Sequence, residues 1–336
     1  MALTIVPFEP AHLDAAAELL AERHRRDRVR EPRLPAAFER PEAARPMVEH
    51  AFDTPGARGV VALRDGAPAG FLVAAPQLLA QTHAMSQFFP IRGAFSWYPH
   101  HAVAPGEDAT ALYRAMYAHL AASLVRSGLF AHFIETPARD AAAQEALFSL
   151  GFGRDLCAAV REVDRPVSGG ADVDIHVAST EDLDVVMALV HELTAHHTSS
   201  PIFLPAVPEA QPAQRELQQN VLADPANAHF VAYRAGRALG MHTFMARGLL
   251  NPMCAPEGSV YLFQGIVSRG ARFGGVGKAL LAHTMTWARE QGYRYCSLHY
   301  ATANLEGAAF WTSQGFEPFS YRLCRRIDER IAWATG

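Results

Sequence analysis

The chain is written twice, and this constrains its fold more than any other feature. Ile5 lies over Ile175, 170 positions on, and the same shift matches Leu13 with Leu183, Asp14 with Asp184, Leu19 with Leu189 and Glu22 with Glu192. The register holds without a gap through Val61 and Val231, Arg64 and Arg234, Gly66 and Gly236, and Gly70 and Gly240. After a slip of six residues the shift becomes 164, and Val103 meets Val267, His119 meets His283, Gly128 meets Gly292, and Gly151-Phe152 meets Gly315-Phe316. Self-similarity of this length identifies a tandem duplication. The 336 residues agree, since a chain of this size suits two domains of about 150 to 170 residues. Each half reads as a strand, helices, a hairpin turning at Gly66 or Gly236, a central strand, a helix, a further strand, and a Gly-Phe turn into closing strands. Pro166, Ser168, Gly169 and Gly170 mark residues 166–172 as a linker between a first domain, 1–165, and a second, 173–336.

Within the second half, the apolar run Val260 to Val267 predicts a strand. Lys278 to Gln291, with Leu280, Leu281, Met285 and Trp287, predicts a helix. Between them stand Arg272, Phe273, Gly274, Gly275, Val276 and Gly277. Glycines there remove Cβ atoms where a backbone must approach a ligand, and the free N–H groups of a helix start attract an anion. A P-loop would require a hydroxyl residue after Lys278, where Ala279 stands, and the order of the glycines is nearly the reverse of a Rossmann loop.

The order Arg272, two residues, Gly275, one residue, Gly277 resembles the coenzyme A pyrophosphate loop of the GCN5-related N-acetyltransferases (GNAT). The resemblance continues downstream. A predicted strand, Tyr295 to Tyr300, is followed by Asn304, and Gly315-Phe316 begins eleven positions later, as in the family's closing motif. Seven positions after Asn304 the family has a Tyr, and this chain has Trp311. The resemblance implies an α/β chain of α+β GNAT type, with two tandem domains, each a mixed, mostly antiparallel twisted sheet flanked by helices. In organisation the chain is similar to the mycothiol synthases.

That resemblance implies acetyl-CoA as cofactor and CoA as product, with no metal. Loop amides from Phe273 through Gly274, Gly275, Val276 and Gly277 to Lys278 would take the pyrophosphate. Ile266, Val267 and Ser268 would pair with the pantetheine amides, Arg272 would add charge, and Asn304 and Trp311 would complete the cofactor side. The first half is expected to be degenerate, because its matching positions are Asp108, Ala111 and Tyr113. Asp108 puts a carboxylate where the second half has Arg272.

Direct attack of a neutral amine on the thioester is the family's reaction, with the oxyanion held near the main-chain N–H of Val267. Removing a proton from an alkyl ammonium of pKa about 10.4 calls for a base or a water chain. Tyr261, Gln264, His299 and Tyr300 are the candidates, and of these only His299 has an unperturbed pKa near neutrality. Trp311 has no acidity to offer a departing thiolate. Either the thiolate leaves unaided, or Tyr300 or Tyr321 supplies the proton.

Composition narrows the partners. Half the residues are hydrophobic, 19% are charged and the net charge is -4, which offers no field for nucleic acid or a membrane. Four cysteines without CxxC spacing, and no apolar run of membrane-spanning length, fit a cytoplasmic protein. The segment His191 to Pro208, including His196 and His197, is expected to line the acceptor pocket as a polar loop. The basic run from Arg23 to Arg30 is expected to be a solvated helix face. The leading expectation is an N-acetyltransferase acting on a small-molecule or peptide amine. The alternative is a non-catalytic CoA-binding or interaction protein. Oligomeric state is left open.

Overall fold

The computed structural model describes residues 2–334. Its first half runs β1 (Leu3–Pro7), α1 (Leu13–Arg30), α2 (Pro41–Asp53), β2 (Arg58–Arg64), β3 (Ala67–Leu78), β4 (Arg92–Ser96), β5 (His101–Val103), α3 (Ala109–Arg126), β6 (Ala131–Pro137), α4 (Ala141–Ser149) and β7 (Gly153–Glu162). The second half repeats the order, with one strand in the place of β4 and β5. It runs β8 (Asp174–Val177), α5 (Leu183–Thr198), α6 (Gln211–Ala223), β9 (Ala228–Arg234), β10 (Arg237–Met245), β11 (Ser259–Val267), α7 (Val276–Glu290), β12 (Tyr295–Ala301), α8 (Leu305–Ser313) and β13 (Glu317–Arg326).

Local sequence explains the hairpins. Asp65-Gly66 between β2 and β3, and Ala235-Gly236 between β9 and β10, have positive φ at both residues. Such a turn matches the right-handed twist of the flanking strands. All ladders are antiparallel except β4 with β6 and β11 with β12.

The expected mixed, mostly antiparallel sheet flanked by helices is present, and the two halves share it. Along the sheet the order is β1-β2-β3-β4-β6-β13-β7-β12-β11-β10-β9-β8, with β5 beside β3. The closing strand of each half therefore lies in the other half's sheet. β13 pairs with β6, β7 pairs with β12, and β7 and β13 pair with each other in the middle. The exchange is reciprocal in register. Ala131 faces Arg326, and moving both positions by 164 toward the opposite half gives Tyr295 facing Glu162. Pro137 facing Ser320 maps in the same way onto Ala301 facing Leu156. The exchange covers two strand edges that would otherwise be open, and among the described residues the sheet's order ends on the short β1 and β8.

Loops cross over as well. Met253 and Cys254, between β10 and β11, are fully buried in the first half's core with Phe8, Leu13, Phe71 and Tyr98. The corresponding loop of the first half, between β3 and β4, places the Phe88 ring 5.6 Å from that of His197 on α5.

Because each half lacks its own closing strand, we expect residues 1–165 and 173–336, expressed separately, to show no cooperative thermal transition. Co-expressed, they should purify as a one-to-one complex. Two independently folded halves, seen by circular dichroism, would contradict the exchange.

Candidate active site

β11 and β12 are paired only from Ser259 with Tyr295 to Leu262 with Leu298. Beyond that point they part. β11 stays with β10 as far as Val267 opposite Gly240, and β12 stays with β7 as far as Ala301 opposite Leu156. The wedge between them opens into a cavity of about 750 Å³.

The polar groups facing the wedge follow from strand alternation. Ser268 N–H donates to Leu239 on the β10 side at 2.8 Å, so Ile266 also turns that way, while Gly265 and Val267 turn their N–H and C=O toward the wedge. Arg272 confirms the direction, since its Nε donates to the Val267 carbonyl at 3.2 Å. The expectation for Ser268 is therefore corrected. Its amide is already bonded, it is 3% exposed, and its hydroxyl donates to Glu192. At the floor of the wedge, a Cβ on Gly265 would lie 3.0 Å from the Trp311 ring, which is why a glycine stands there.

Past the wedge the chain enters α7. Gly275, its N-cap, has φ 83° and no side-chain cap, so the first amides of α7 have no intrahelical acceptor. Gly277 sits where a Cβ would approach the Phe310 ring at 3.2 Å. The linker passes over this turn. Ala171 N–H donates to Gly275 O at 3.2 Å, and Gly169, Gly170 and Ala171 line the cavity. Phe273 is 94% exposed with φ 62°.

Arg272 spans the cleft. Its Nη1 is 2.6 Å from Glu306 and 3.3 Å from His196 Nδ1. His196 Nε2 in turn donates to Asn304 Oδ1 at 3.1 Å, and Asn304 caps α8 through Gly307 N–H. Glu306 is thereby neutralised, while Lys278 also lines the cavity. The segment expected as a polar loop is helix α5 as far as Thr198. His196 and His197 project from it to the cavity, whereas His191 is exposed.

Tyr261, Gln264, His299 and Tyr300 all line the cavity. Tyr321 does not; it pairs with Thr136 and lies under the Arg154 guanidinium at 4.1 Å. The Tyr261 hydroxyl donates to His299 Nδ1 at 2.8 Å. Burial, aided by the charge of Arg322, pushes the His299 imidazole down to about 3, so it is neutral in the ordinary working range. Burial alone raises the Tyr261 hydroxyl, and burial with the adjacent Cys157 raises that of Tyr300. Gln264 Oε1 and His197 Nδ1 are buried and have no partner.

The first half splits its sheet at the same place and fills the gap from within. Arg23, expected on a solvated face, is 3% exposed, because its guanidinium is needed in this gap. It donates to the Tyr98 carbonyl at 2.6 Å and to the carbonyl of His101, and pairs with Asp27 at 3.4 Å. Tyr113, in the place of Gly277, donates to His101 Nδ1 at 2.8 Å. Asp108 Oδ1 accepts from Ala111 N–H, so the start of α3 already holds an anion of its own. A small pocket of about 10 Å³ lies beside Tyr98 and Cys254.

Residues 191–316 match the family model of the acetyltransferase (GNAT) family. A GCN5-related N-acetyltransferase from Sphaerobacter thermophilus superposes with TM-score 0.61 at 15% identity, over 96% of this chain and 95% of that one. The GCN5-related glucosamine N-acetyltransferase region of a fungal multi-domain GH3 β-N-acetylglucosaminidase gives TM-score 0.54 at 14% identity, over 96% of this chain and 38% of that one. At these identities the likeness shows the fold. No curated protein matches the sequence. Among the described residues no helix is long and apolar enough to cross a membrane.

Sequence reasoning missed the far wall of the cavity, where Met85, Phe88, Phe89 and Trp97 come from the first half. It gave no signal there, because the wall is built by contacts across the pseudo-twofold.

Gly277→Asp should weaken CoA binding by at least about 100-fold in titration calorimetry, by adding charge and bulk at the loop. Asp108→Ala should leave the CoA affinity unchanged and lower stability by about 1 kcal/mol through loss of a helix cap. Full affinity in Gly277→Asp would remove the loop from the site.

Proposed function

We propose that this protein is an acetyl-CoA-dependent N-acetyltransferase for a small-molecule or peptide amine. Residues 173–336 hold the cofactor, and residues 1–165 serve as a cofactor-free wall across the linker 166–172. The observation that carries this reading is the parting of β11 from β12 beside an uncapped helix start, with the matching gap of the first half already filled. An extended arm with two amides fits the wedge-facing N–H and C=O groups of Gly265 and Val267, of which the Val267 carbonyl is held by Arg272 until the arm binds, and pyrophosphate fits the loop amides from Gly274 to Lys278. Such charge-assisted bonds contribute roughly 1.5 to 3 kcal/mol each. When it binds, Arg272 exchanges the Val267 carbonyl for phosphate.

In the reaction the neutral amine nitrogen attacks the thioester carbonyl carbon. The oxyanion is held by a wedge-facing N–H of Val267 or Gly265, the C–S bond breaks, and the amine proton leaves through water. His299, with its imidazole neutral and its Nδ1 already accepting from Tyr261, has little capacity to deprotonate an ammonium. Tyr300 is no better an acid. Its hydroxyl lies above the usual value of about 10 and a thiol's is near 8.5, so proton transfer to the thiolate runs uphill. The thiolate therefore leaves unaided. Four free cysteines suit a reducing cytoplasm.

Release of CoA thiol from acetyl-CoA, measured across an amine panel, tests the reading. The logarithm of kcat/KM should rise steadily from pH 6 to 9 with the neutral amine fraction, because His299 and His197 are held near 3 and 4 and do not titrate in that range. A plateau starting near the ordinary histidine value of about 6.5 would assign the base to a histidine instead. Tyr300→Phe should cost less than about tenfold, against the 100-fold or more expected for loss of a general acid. One observation favours the second reading, a CoA-binding protein without turnover: Trp311 stands where the family has its acid. CoA binding without thiol release from any amine would establish it.

A further inference from the structure

The acceptor end of the cavity is built by both halves of the chain and is aromatic. Phe88 packs edge-on against His197 at 5.6 Å, and Phe89 packs against Trp97 at 6.4 Å. Met85, Leu156 and Phe263 complete an apolar wall facing Gln264 and His299. Charge is almost absent there. Arg322 is bonded to Asp155 at 2.7 Å and to the Phe88 carbonyl, and its guanidinium lies 5.0 Å from the centre of the Phe89 ring. Of the described residues lining the whole cavity, Glu306 is the sole carboxylate, and it is tied to Arg272 at the phosphate end.

We propose that the acceptor is an aryl-alkyl primary amine carrying no second cation. Its flat apolar body would lie among Phe88, Phe89 and Trp97, and its amine N–H would donate to the unpartnered Gln264 Oε1. This rests on the transferase reading above and specifies its substrate class. Burying an ammonium without a paired carboxylate costs several kcal/mol, so an aminoglycoside or a polyamine would carry unpaired charges into this wall. A monoamine that enters neutral carries none. Its ring gains the contact area and edge-to-face geometry that these aromatic side chains offer. The inner histidines point the same way, since His197 and His299 are held neutral by burial and supply neither a counter-ion nor a repelling charge.

The test uses the full-length protein, with CoA affinity measured by calorimetry on the same preparation. Thiol release is then followed with acetyl-CoA and 2-phenylethylamine, tryptamine, glycine, spermidine and kanamycin. We expect kcat/KM for the two aryl-alkyl amines to exceed that for the others by at least about 100-fold, the size of an unpaired-charge penalty of a few kcal/mol. Phe88→Ala and Trp97→Ala should raise KM for 2-phenylethylamine by roughly tenfold or more while leaving CoA affinity unchanged. Phe88→Asp should lower turnover of 2-phenylethylamine and raise that of spermidine. Bound CoA with spermidine, kanamycin or glycine preferred, or with no aryl-alkyl amine used, overturns this inference and leaves the cofactor site standing. Absence of CoA binding overturns the transferase reading itself.

Discussion

β12 loses one of its two partners halfway along its length, and the candidate site depends on that loss. For four residue pairs β12 is bonded to β11 on one side, while along its whole length it is held on the other by β7, a strand that comes from the other half of the chain. A sheet can part without losing its frame only if each parted strand keeps a neighbour on its far side. β10 does this for β11, and the exchanged β7 does it for β12. The inward-facing N–H and C=O of Gly265 and the N–H of Val267 then face the wedge, where the Val267 carbonyl is held by Arg272. Buried or half-buried backbone groups require partners, so a split of this kind calls for an occupant.

The first half meets the same requirement differently. Its guanidinium from Arg23 takes the carbonyls of Tyr98 and His101, His101 bonds Glu135 O and Tyr113, and Met253 with Cys254 from the opposite loop fill the remaining volume. One duplicated architecture thus supports one gap closed by its own side chains and one open gap. The plugged half also carries the aromatic loop that lines its neighbour's cavity.

Legibility in the sequence followed locality. The hairpins at Gly66 and Gly236 and the strand and helix around Gly275 rest on spacing within short stretches, and they appear in the structure as expected. Tyr261, Gln264, His299 and Tyr300 converge because neighbouring strands β11 and β12 carry them. Strand exchange leaves no mark on a linear pattern, since β7 and β13 would read the same whichever sheet received them. The burial of Arg23 was hidden for a related reason, because it depends on a gap that exists only once β4 and β5 diverge from β6. Phe88, Trp97 and His197 meet across the pseudo-twofold, where no spacing rule reaches.

Amide hydrogen exchange with and without CoA tests the central claim, that one split of the sheet is open to an extended ligand and the other is closed by its own residues. The account predicts added protection at Gly265, Val267 and the first amides of α7, with the buried residues 100–103 unchanged and already slow in the free protein. Protection gained in 100–103, or fast exchange there without ligand, would show that the first gap is open and would contradict it.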